Sequence, residues 1–487
     1  MPPCRELATS GQAAAGSAAE CPSLVLLLPS GRQPLEPVKI ALIGAGSRSF
    51  GPATVRDVLL SEVLAERGVD LRLMDIVSEH LTEIEAYAQR LVDRLGRRAS
   101  ISPTTSLDTA LDGANFVVAA IEVNRYMLWA QDFHIPRKYG FRQVYGENGG
   151  PGGLFHALRN MGPTVAIASA MERLCPGAPL LNFTNPEHKL CEAVCRLTSV
   201  NAVGLCHGVF MGLEQVARIL GMPTERIEGR ACGINHFTWF QTLRDRETGE
   251  DLYPRLRAME REGHELCDWH EIGLGRILFR RFGLWPSPAA NHYGEYVRWA
   301  DEFVASQVQY YYDPMRGHPW ETGVVPEFIY SLSADVTQRP WRREQSEQVA
   351  EHPGTQDEAT LRPSGELAVP IMEAMTDGSP RFLEAVNVPN RGAIPNLPPD
   401  MVVELPAVAD GRGVRAEQMG PLPEGIVGLL AVQASIQKLL VQAFAERSKG
   451  KLLQAILLDP TVDSYRQAVG MMEEMLQLQR AYLPAFE

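Results

Sequence analysis

The sequence predicts an α/β protein in which a domain on a parallel sheet, residues 38–204, precedes an α+β domain, residues 205–487. Two observations favour this fold class. In the first part, short unbroken apolar runs alternate with stretches of helical periodicity, the pattern of strand–helix–strand units around a parallel sheet. In the second part, a strand-like stretch at 402–406 precedes a mostly helical segment from 425 to 486, with a break near Asp459.

The individual elements follow from the same periodicity. Apolar runs that stop at turn residues or polar residues predict buried strands. Leu, Ile and Ala at helical spacing, with charges on the opposite face, predict amphipathic helices. The predicted strands cover 40–43, 71–74, 116–121, 179–184, 203–208 and the start of 382–396, and the predicted helices cover 54–67, 79–98, 154–174, 187–197, 211–220 and 252–281.

The composition limits the partners. Of the 487 residues, 45% are hydrophobic and 22% are charged, as is ordinary for a soluble globular protein of two or more domains. A net charge of −13 and the lack of a basic tract argue against a nucleic-acid partner. No unbroken apolar run approaches the roughly 18–20 residues that cross a bilayer, so no membrane association is expected.

The first 37 residues are rich in Ala, Gly, Ser and Pro and predict a disordered extension, although a start near Val38 also fits. The apolar run at 25–28 is too short for the core of a signal peptide. The eight cysteines show neither a CxxC pair nor a disulfide framework, which favours a reducing cytoplasm.

The first predicted strand runs directly into a glycine turn, Gly44-Ala-Gly46-Ser47, and the second ends in Asp75. Strand, glycine turn, helix, strand and terminal carboxylate form the dinucleotide-binding pattern. Gly44 permits the tight turn, and Gly46 lets a pyrophosphate approach the backbone at a helix N-terminus. Asp75 is placed to accept hydrogen bonds from a ribose diol, which favours NAD over NADP. The third glycine is replaced by Ser49, so an ordinary strand–helix turn remains the alternative.

Polar residues follow other predicted strands at their carboxyl ends, where ligands bind in open α/β sheets. Glu122 and Asn124 follow the strand at 116–121, and Asn185 follows the strand at 179–184. We expect these side chains to face the nucleotide crevice.

Five glycines fall within the nine residues from Tyr145 to Gly153. This composition predicts neither a helix nor a regular strand, so the next helix is expected to begin at Leu154. A mobile surface loop and a loop whose backbone approaches a ligand closely are both open interpretations. The polar stretch 340–365 predicts a mobile insertion.

Potential metal ligands occur at two turns. Cys206 and His207 end a short predicted strand, and His236 closes the sequence Gly-Ile-Asn-His at 233–236. Cys and His are good ligands for divalent metals. The two positions are far apart in sequence, so spacing alone leaves a buried Cys and a hydrogen-bonded core His as the default.

Several motifs in this order resemble those of the NAD- and metal-dependent glycoside hydrolases of family 4, which include α-galactosidases, α-glucosidases, 6-phosphoglucosidases and α-galacturonidases. The resemblance runs from about Lys39 to the C-terminus. It rests on Gly-Ala-Gly-Ser at 44–47, Gly-Pro-Gly-Gly at 150–153, Thr-Asn-Pro at 184–186, Cys-His-Gly at 206–208, Gly-Ile-Asn-His at 233–236, Val-Pro-Asn-Arg-Gly-Ala-Ile-Pro-Asn at 388–396 and Leu-Leu-Asp-Pro at 457–460.

The resemblance implies a Rossmann-like NAD-binding domain of the lactate/malate dehydrogenase type, a catalytic and oligomerisation domain, and a homodimer or homotetramer. It implies hydrolysis of a small glycoside by an exception to the two-carboxylate scheme. NAD takes a hydride from C3 of the sugar, a base removes the C2 proton, and the glycosidic group leaves by elimination. Water then adds, and NADH returns the hydride.

The resemblance also implies the site residues. Cys206 and His236 match the two protein ligands of the metal, usually Mn²⁺, which bridges the C2 and C3 oxygens. Asn185 and Asn235 match positions that hold sugar hydroxyls, and His207 is a candidate acid for the leaving group or a residue that shapes the pocket. A Cys-His pair is more typical of members that act on unphosphorylated α-linked sugars. The expected NAD contacts are Gly44, Gly46, Ser47, Arg48, Asp75, Glu122 and Asn124.

The chain departs from the family at the C2 base. The family usually places a Tyr in a Phe-Gly-Tyr-Tyr-like stretch, where this chain has Leu284 and Trp285. Tyr293 and Tyr296 are the candidate substitutes, and the alternative is that both are packing residues. As a base, either tyrosine would need its pKa of about 10 lowered by the metal or a neighbouring cation. The departure leaves open a related enzyme for an anionic sugar, such as a uronide or sulfoquinovoside, with Arg391 as an anion contact.

Two functions of other classes remain as alternatives. An ordinary NAD-dependent dehydrogenase of a sugar or hydroxy acid shares the nucleotide-binding pattern. A catalytically inactive NAD-binding sensor is the weaker alternative. The pair of Cys206 and His236 together with Asn185-Pro186 favours the hydrolase, because a simple hydroxy-acid dehydrogenase needs no thiolate–metal site.

Overall fold

A computed structural model describes residues 36–48, 50–262, 269–303 and 361–487. Apart from its last two residues, the predicted N-terminal extension lies outside this described part. The predicted insertion at 340–365 also lies outside it, except for residues 361–365.

The strands of the described chain form one twelve-stranded sheet. The strands are β1 (Val38–Ile43), β2 (Val69–Met74), β3 (Ala99–Thr104), β4 (Phe116–Ala119), β5 (Leu180–Asn182), β6 (Ala202–Gly204), β7 (Ile227–Ile234), β8 (Phe237–Asp245), β9 (Trp285–Ser287), β10 (Arg381–Pro389), β11 (Val402–Asp410) and β12 (Gly413–Ala416). Their order in the sheet is β3-β2-β1-β4-β5-β6-β10-β11-β7-β8-β9, with β12 paired to β11. The six strands from β3 to β6 are parallel, in the order of a doubly wound nucleotide-binding fold, which confirms the predicted fold class.

The predicted helices are present with three differences, and the helices at 107–111, 125–138, 290–293 and 368–377 were not predicted. The helix expected at 252–281 appears as two, Tyr253–Arg261 and Trp269–Phe282, with residues 263–268 outside the described part. The helix expected at 54–67 is divided at Ser61, whose hydroxyl accepts a hydrogen bond from the Leu64 amide and begins a second helix. The helix expected from Leu154 begins earlier. The helices are α1 (Gly51–Leu60), α2 (Glu62–Arg67), α3 (Ser78–Leu95), α4 (Leu107–Leu111), α5 (Arg125–Lys138), α6 (Gly150–Leu174), α7 (Glu187–Leu197), α8 (Gly208–Leu220), α9 (Tyr253–Arg261), α10 (Trp269–Phe282), α11 (Ala290–Tyr293), α12 (Ala368–Asp377), α13 (Glu424–Glu446), α14 (Lys449–Leu458) and α15 (Tyr465–Leu478).

The glycine-rich run opens α6 and is buried, so the predicted late start of this helix and the mobile surface loop are both wrong. Proline is well tolerated in a first helical turn, where Pro151 lies. A Cβ atom on Gly152 would lie 2.2 Å from the carbonyl oxygen of Asp132, and one on Gly153 would lie 2.6 Å from the carbonyl carbon of Asn148. The glycines therefore permit close packing of backbone on backbone.

The sheet continues across the predicted domain boundary between residues 204 and 205. Gly204 at the end of β6 pairs with Asn387 of β10, and Glu404 of β11 pairs with Gly233 of β7. The strands beyond β6 pair antiparallel to their neighbours. The parallel nucleotide-binding strands and the turn that carries His236 thus belong to one hydrogen-bonded sheet.

Helix α13 is long and apolar enough to cross a membrane by length and composition, contrary to the expectation from unbroken apolar runs. Gln, Ser and Lys interrupt its apolar runs, while its best window still has a mean hydropathy of 1.5. Half of that window is buried inside the protein, where Ile436 and Leu440 pack with Leu154 and Phe155 of α6. A core helix of a soluble protein has these same properties.

Candidate active site

The predicted nucleotide turn is built as expected from Gly44 to Asp75. Gly44 has φ of +82°, and a Cβ atom there would lie 2.4 Å from the carbonyl oxygen of Ala120. The Asp75 carboxylate accepts hydrogen bonds from the amides of Gly46, at 2.9 Å, and Val77, at 3.0 Å. Asp75 therefore also holds the turn that it was expected to complete.

Two further predicted NAD contacts border this turn. The Ser47 hydroxyl accepts a hydrogen bond from the Phe50 amide, which starts the turn into α1. The Arg48 side chain is exposed. Neither arrangement tests a contact with NAD, so both assignments stay predictions.

Glu122, at the carboxyl end of β4, lies in a polar cluster. Its carboxylate is 3.0 Å from His156 Nε2 and accepts hydrogen bonds from Asn160 and Arg125. Burial alone would raise the pKa of Glu122, but His156 and then Arg125 lower it to about 2. Asn124, with φ of +48°, donates a hydrogen bond to the Tyr482 hydroxyl. Both predicted residues thus lie at the expected edge of the sheet and hold protein groups there.

Cys206 and the turn that carries His236 come together, because the side chain of Asn235 reaches the Cys206 thiol. The Gly208 amide donates to Cys206 Sγ at 3.3 Å, and a hydrogen bond from the Asn235 side chain helps to lower the pKa of the same thiol against the larger effect of burial. His236 is buried, has φ of +66°, and places Nδ1 2.9 Å from Asn148 Nδ2. Burial lowers the pKa of His236 to about 4, so the ring is neutral near pH 7.

Two buried carboxyl groups lie beside this pair, and sequence reasoning missed both. Glu187 Oε2 accepts hydrogen bonds from Asn235, at 3.2 Å, and from Asn387, at 3.3 Å. Burial and then Glu404 raise the pKa of Glu187, and burial raises the pKa of Glu404 to about 8. A polar residue such as Glu404 inside the apolar stretch 402–406 was the available signal.

The pairing of strands explains this polar cluster. Asn182, Gly204, Asn387 and Glu404 occupy one continuous row of register across β5, β6, β10 and β11. Directly opposite residues in a sheet point to the same face. The row thus places amides and a carboxyl group together within a buried sheet.

These residues fit a divalent cation. A thiol and an imidazole are suitable donors, and the buried Oδ1 atoms of Asn185 and Asn235 have no hydrogen-bond partner in the described chain. Glu187 and Glu404 form no ion pair with a Lys or Arg among the described residues, and a cation bound beside them would favour loss of their protons and so gain their negative charge. No group of three or more His, Cys, Asp or Glu among the described residues is arranged to hold a metal. A cation here would therefore have two ligands from this set, with water or substrate completing its shell.

His207 has a carboxyl partner that the sequence did not predict. Its Nε2 lies 3.1 Å from Glu366 Oε1, and nearly half of its side chain is exposed. Burial lowers the pKa of His207, while burial and then Asp57 raise the pKa of Glu366 to about 7. A proton placed between the two groups is therefore available close to the pocket edge.

The two candidate base tyrosines are fully buried. The Tyr296 hydroxyl donates to the Asn235 carbonyl oxygen at 3.2 Å, and its ring stacks on Phe237. Burial raises the pKa of Tyr296, whereas a tyrosine that acts as a base near neutral pH needs a lowered pKa. A Cβ atom on Gly275 would lie 2.6 Å from the Tyr293 hydroxyl, which therefore contacts α10. These contacts favour packing roles.

Of the predicted sugar contacts, Asn235 lies within the cluster and Asn185 lies at the end of β5, where its carbonyl oxygen accepts from Asn160. Arg391 is exposed in a loop, with φ of +46° and its amide bonded to Pro399. No ion pair of Arg391 is found among the described residues, so its contact with an anionic sugar stays a prediction.

Comparison with known proteins agrees with this geometry. Residues 39–222 match the family described as "Family 4 glycosyl hydrolase", and residues 231–462 match its C-terminal domain. The chain is 31% identical over 483 residues to an α-glucosidase from Erwinia rhapontici, covering 91% of this chain and 98% of that protein. It is 31% identical over 458 residues to an α-galactosidase from Bacillus subtilis, covering 92% and 100%.

The fold is also similar to solved structures. A 6-phospho-α-glucosidase from gut microorganisms, in complex with NAD and Mn²⁺, aligns with a TM-score of 0.72 and 22% identity over 93% of this chain and 100% of that chain. A 6-phospho-β-glucosidase from Thermotoga maritima with manganese and NAD⁺ aligns with a TM-score of 0.71 and 20% identity over 92% and 99%. The chain belongs to family 4 of the glycoside hydrolases.

Proposed function

We propose that this enzyme hydrolyses an α-linked glycoside of an unphosphorylated, uncharged sugar by transient oxidation at C3. The observation that carries the proposal is the meeting of Cys206 and the His236 turn beside the buried Glu187 and Glu404. The names of the two relatives at 31% identity, α-glucosidase and α-galactosidase, support an α-linked substrate.

When bound, NAD would supply a hydride acceptor and donor, and a divalent metal would stabilise negative charge that develops on the substrate. Cys206 and His236 would hold the metal. Asn185 and Asn235, with their unpartnered Oδ1 atoms, would orient sugar hydroxyls. His207, with Glu366, would pass a proton to the leaving oxygen.

The residue that removes the C2 proton stays a prediction. Tyr296 is the better of the two candidates, because its hydroxyl contacts the backbone of Asn235, next to His236, whereas Tyr293 contacts α10. Tyr296→Phe removes only the hydroxyl. A base role predicts that both solvent deuterium exchange at C2 and turnover are lost while urea stability is unchanged, whereas a packing role predicts lower urea stability with exchange and turnover retained.

Charge favours an uncharged sugar over a uronide, a sulfoquinovoside or a 6-phosphate. The carboxyl groups of Glu187, Glu404 and Glu366 offer no positive charge to an anionic substituent at this site, and they would repel it once ionised. Arg391 is exposed on a loop, and among the described residues it has no contact with these three carboxyl groups. The uronide and sulfoquinovoside remain outcomes of the test.

A panel of aryl glycosides, assayed with NAD, Mn²⁺ and a thiol reductant, tests the proposal. The panel contains the α-galactoside, α-glucoside, α-galacturonide, sulfoquinovoside and a 6-phosphate. We expect release of an uncharged sugar, deuterium at C2 when the reaction runs in D₂O, and no net NADH. NADH formed in step with product would instead indicate an ordinary dehydrogenase, and preference for an anionic sugar would contradict the charge argument.

We further propose that the enzyme is cytoplasmic and forms a homodimer or homotetramer. The five described cysteines are free thiols, consistent with a reducing compartment. Leu457, Leu458 and Tyr465 are exposed on α14 and α15 and are candidate interface residues. A monomeric mass in light scattering would contradict the assembly.

A further inference from the structure

We propose that Asn148, Lys189 and Glu295 are positioning residues that orient the His236 imidazole for metal binding. They do so by holding residue 148 at both its backbone and its side chain. The proposal rests on the proposed role of His236 as a metal ligand. None of the three residues was singled out from the sequence.

The backbone of Asn148 lies between two buried ionisable side chains, one acidic and one basic. Glu295 accepts hydrogen bonds from the amides of Glu147, at 2.7 Å, and Asn148, at 3.0 Å. On the other side, Lys189 Nζ donates to the Asn148 carbonyl oxygen. Both polar groups of this backbone position therefore end on a buried side chain, and the bond from the Lys189 ammonium is charge-assisted, which helps to fix residue 148.

The side chain of Asn148 reaches His236. Asn148 Nδ2 lies 2.9 Å from His236 Nδ1, and Asn148 Oδ1 has no hydrogen-bond partner among the described residues. The amide group fits equally well when turned over, since its oxygen and nitrogen have the same shape. With Oδ1 towards the ring, Nδ1 carries the imidazole proton and Nε2 keeps the lone pair that a cation needs.

The local backbone shows why this support is required. His236 has φ of +66°, a conformation that residues other than glycine adopt only when surrounding contacts hold them. Gly149 lets the supporting segment approach, because a Cβ atom there would lie 2.7 Å from Glu295 Cβ. Glu295 Oε2 is itself 4.0 Å from His236 Nδ1. The cluster thus contacts the imidazole from the side opposite any ligand on Nε2.

Lys189 belongs to the cluster on geometric grounds as well. Its Nζ also lies 2.9 Å from His188 Nε2 and 5.7 Å from the centre of the Tyr296 ring. Tyr296 in turn donates to the Asn235 carbonyl oxygen, one residue before His236. Lys189 therefore supports the His236 turn through two routes, Asn148 and Tyr296.

The test is the dissociation constant of Mn²⁺ from the full-length protein, measured by electron paramagnetic resonance of free Mn²⁺. Asn148→Ala removes the side chain but leaves its backbone contacts, and Lys189→Met removes the buried ammonium. Each is expected to raise the Kd for Mn²⁺ by about 10–100-fold, as removal of outer partners of a ligating His does. Lys189→Arg keeps donors at the position and should restore part of the affinity.

Glu192→Gln is the matched control. Glu192 lies on the same helix as Lys189 and is equally buried, but it bonds Arg196 and the Val402 amide. We expect it to lower the urea midpoint without changing the Kd for Mn²⁺. Urea unfolding of every variant separates a general loss of stability from a loss of metal affinity.

The outcomes separate the two proposals. Unchanged Mn²⁺ affinity in folded Asn148→Ala, when Cys206→Ser and His236→Ala both lose affinity, would overturn the positioning role alone. Affinity that survives Cys206→Ser and His236→Ala would overturn the proposed metal ligands.

Discussion

Glu404 shows how a single residue reports on the site. Its carboxyl group is 1% exposed, with Oε1 lacking a hydrogen-bond partner in the part of the chain described here. Burying an ionised carboxylate is costly, and the group responds by retaining its proton, which is why its pKa is raised to about 8. A buried carboxyl group with a shifted pKa is typical of a site that binds a cation or transfers protons.

This shift predicts how stability changes with pH. The folded protein keeps the Glu404 proton up to about pH 8, while the unfolded chain loses it near pH 4.5. The contribution of Glu404 to the free energy of unfolding therefore falls as pH rises through this window. Glu404→Gln cannot lose a proton, so in EDTA it should exceed the wild type in urea stability by about 1 kcal/mol or more at pH 8.5. The difference should shrink at pH 5.5.

The exposed Glu225 provides the control, since Glu225→Gln should leave the wild-type trend unchanged. An advantage of Glu404→Gln that grows towards low pH would contradict the assignment.

At the scale of the element, the start of α6 shows what local sequence cannot reveal. Helix α7, Glu187–Leu197, lies where its periodicity predicts it, because its apolar face and its position after Pro186 are local features. The start of α6 was missed, since three glycines in its first turn are unfavourable for an isolated helix. The conformation of these glycines depends on their contacts with Asp132, Gln143 and Asn148 in the folded protein. Local sequence periodicity does not reveal those contacts.

A pair of glycine substitutions tests this explanation. Gly152→Ala should lower the free energy of unfolding by about 3 kcal/mol, because its Cβ atom would lie 2.2 Å from a backbone oxygen. Gly428→Ala, within α13, meets no described atom within 4 Å and should raise it by up to about 1 kcal/mol. Urea unfolding measures both. Equal effects of the two changes would rule out close packing as the reason for the glycine run.

The candidate site was predictable to a similar extent. The nucleotide turn follows from local pattern, and Cys206 and His236 follow from the resemblance to the family. Glu187, Asn387 and Glu404 come from three elements that meet only through the order of strands in the sheet. No spacing in the sequence encodes that meeting, so these residues were out of reach of motif analysis.

At the scale of the whole molecule, a buried amide is one of the groups that join the C-terminal segment to the nucleotide-binding half. Gln479 accepts from Arg159 at 3.0 Å and donates to Asp132 at 2.7 Å, while Arg159 and Asp132 form a fully buried ion pair. Asn124 also donates to Tyr482, three residues beyond Gln479. The end of the chain therefore completes the hydrogen bonding of α5 and α6.

Two buried glutamines allow a direct comparison. Gln479→Leu leaves Arg159 and Asp132 each without one hydrogen bond and should cost about 2 kcal/mol of unfolding free energy. Gln437→Leu should instead gain about 1 kcal/mol, because neither polar atom of Gln437 has a partner within the described residues. Chemical denaturation distinguishes the two signs. A gain for Gln479→Leu would contradict the bridging role.

The continuity of the sheet affects how the chain acquires its fold during synthesis. Strand β6 is made early, but its neighbour β10 begins only at Arg381. Until then, the emerging nucleotide-binding half has an unpaired strand edge, which can associate with other chains. A fragment ending at residue 204 would keep that edge permanently. A chimaera that takes its nucleotide-binding half from a relative would accordingly need β10 and β11 from the same relative.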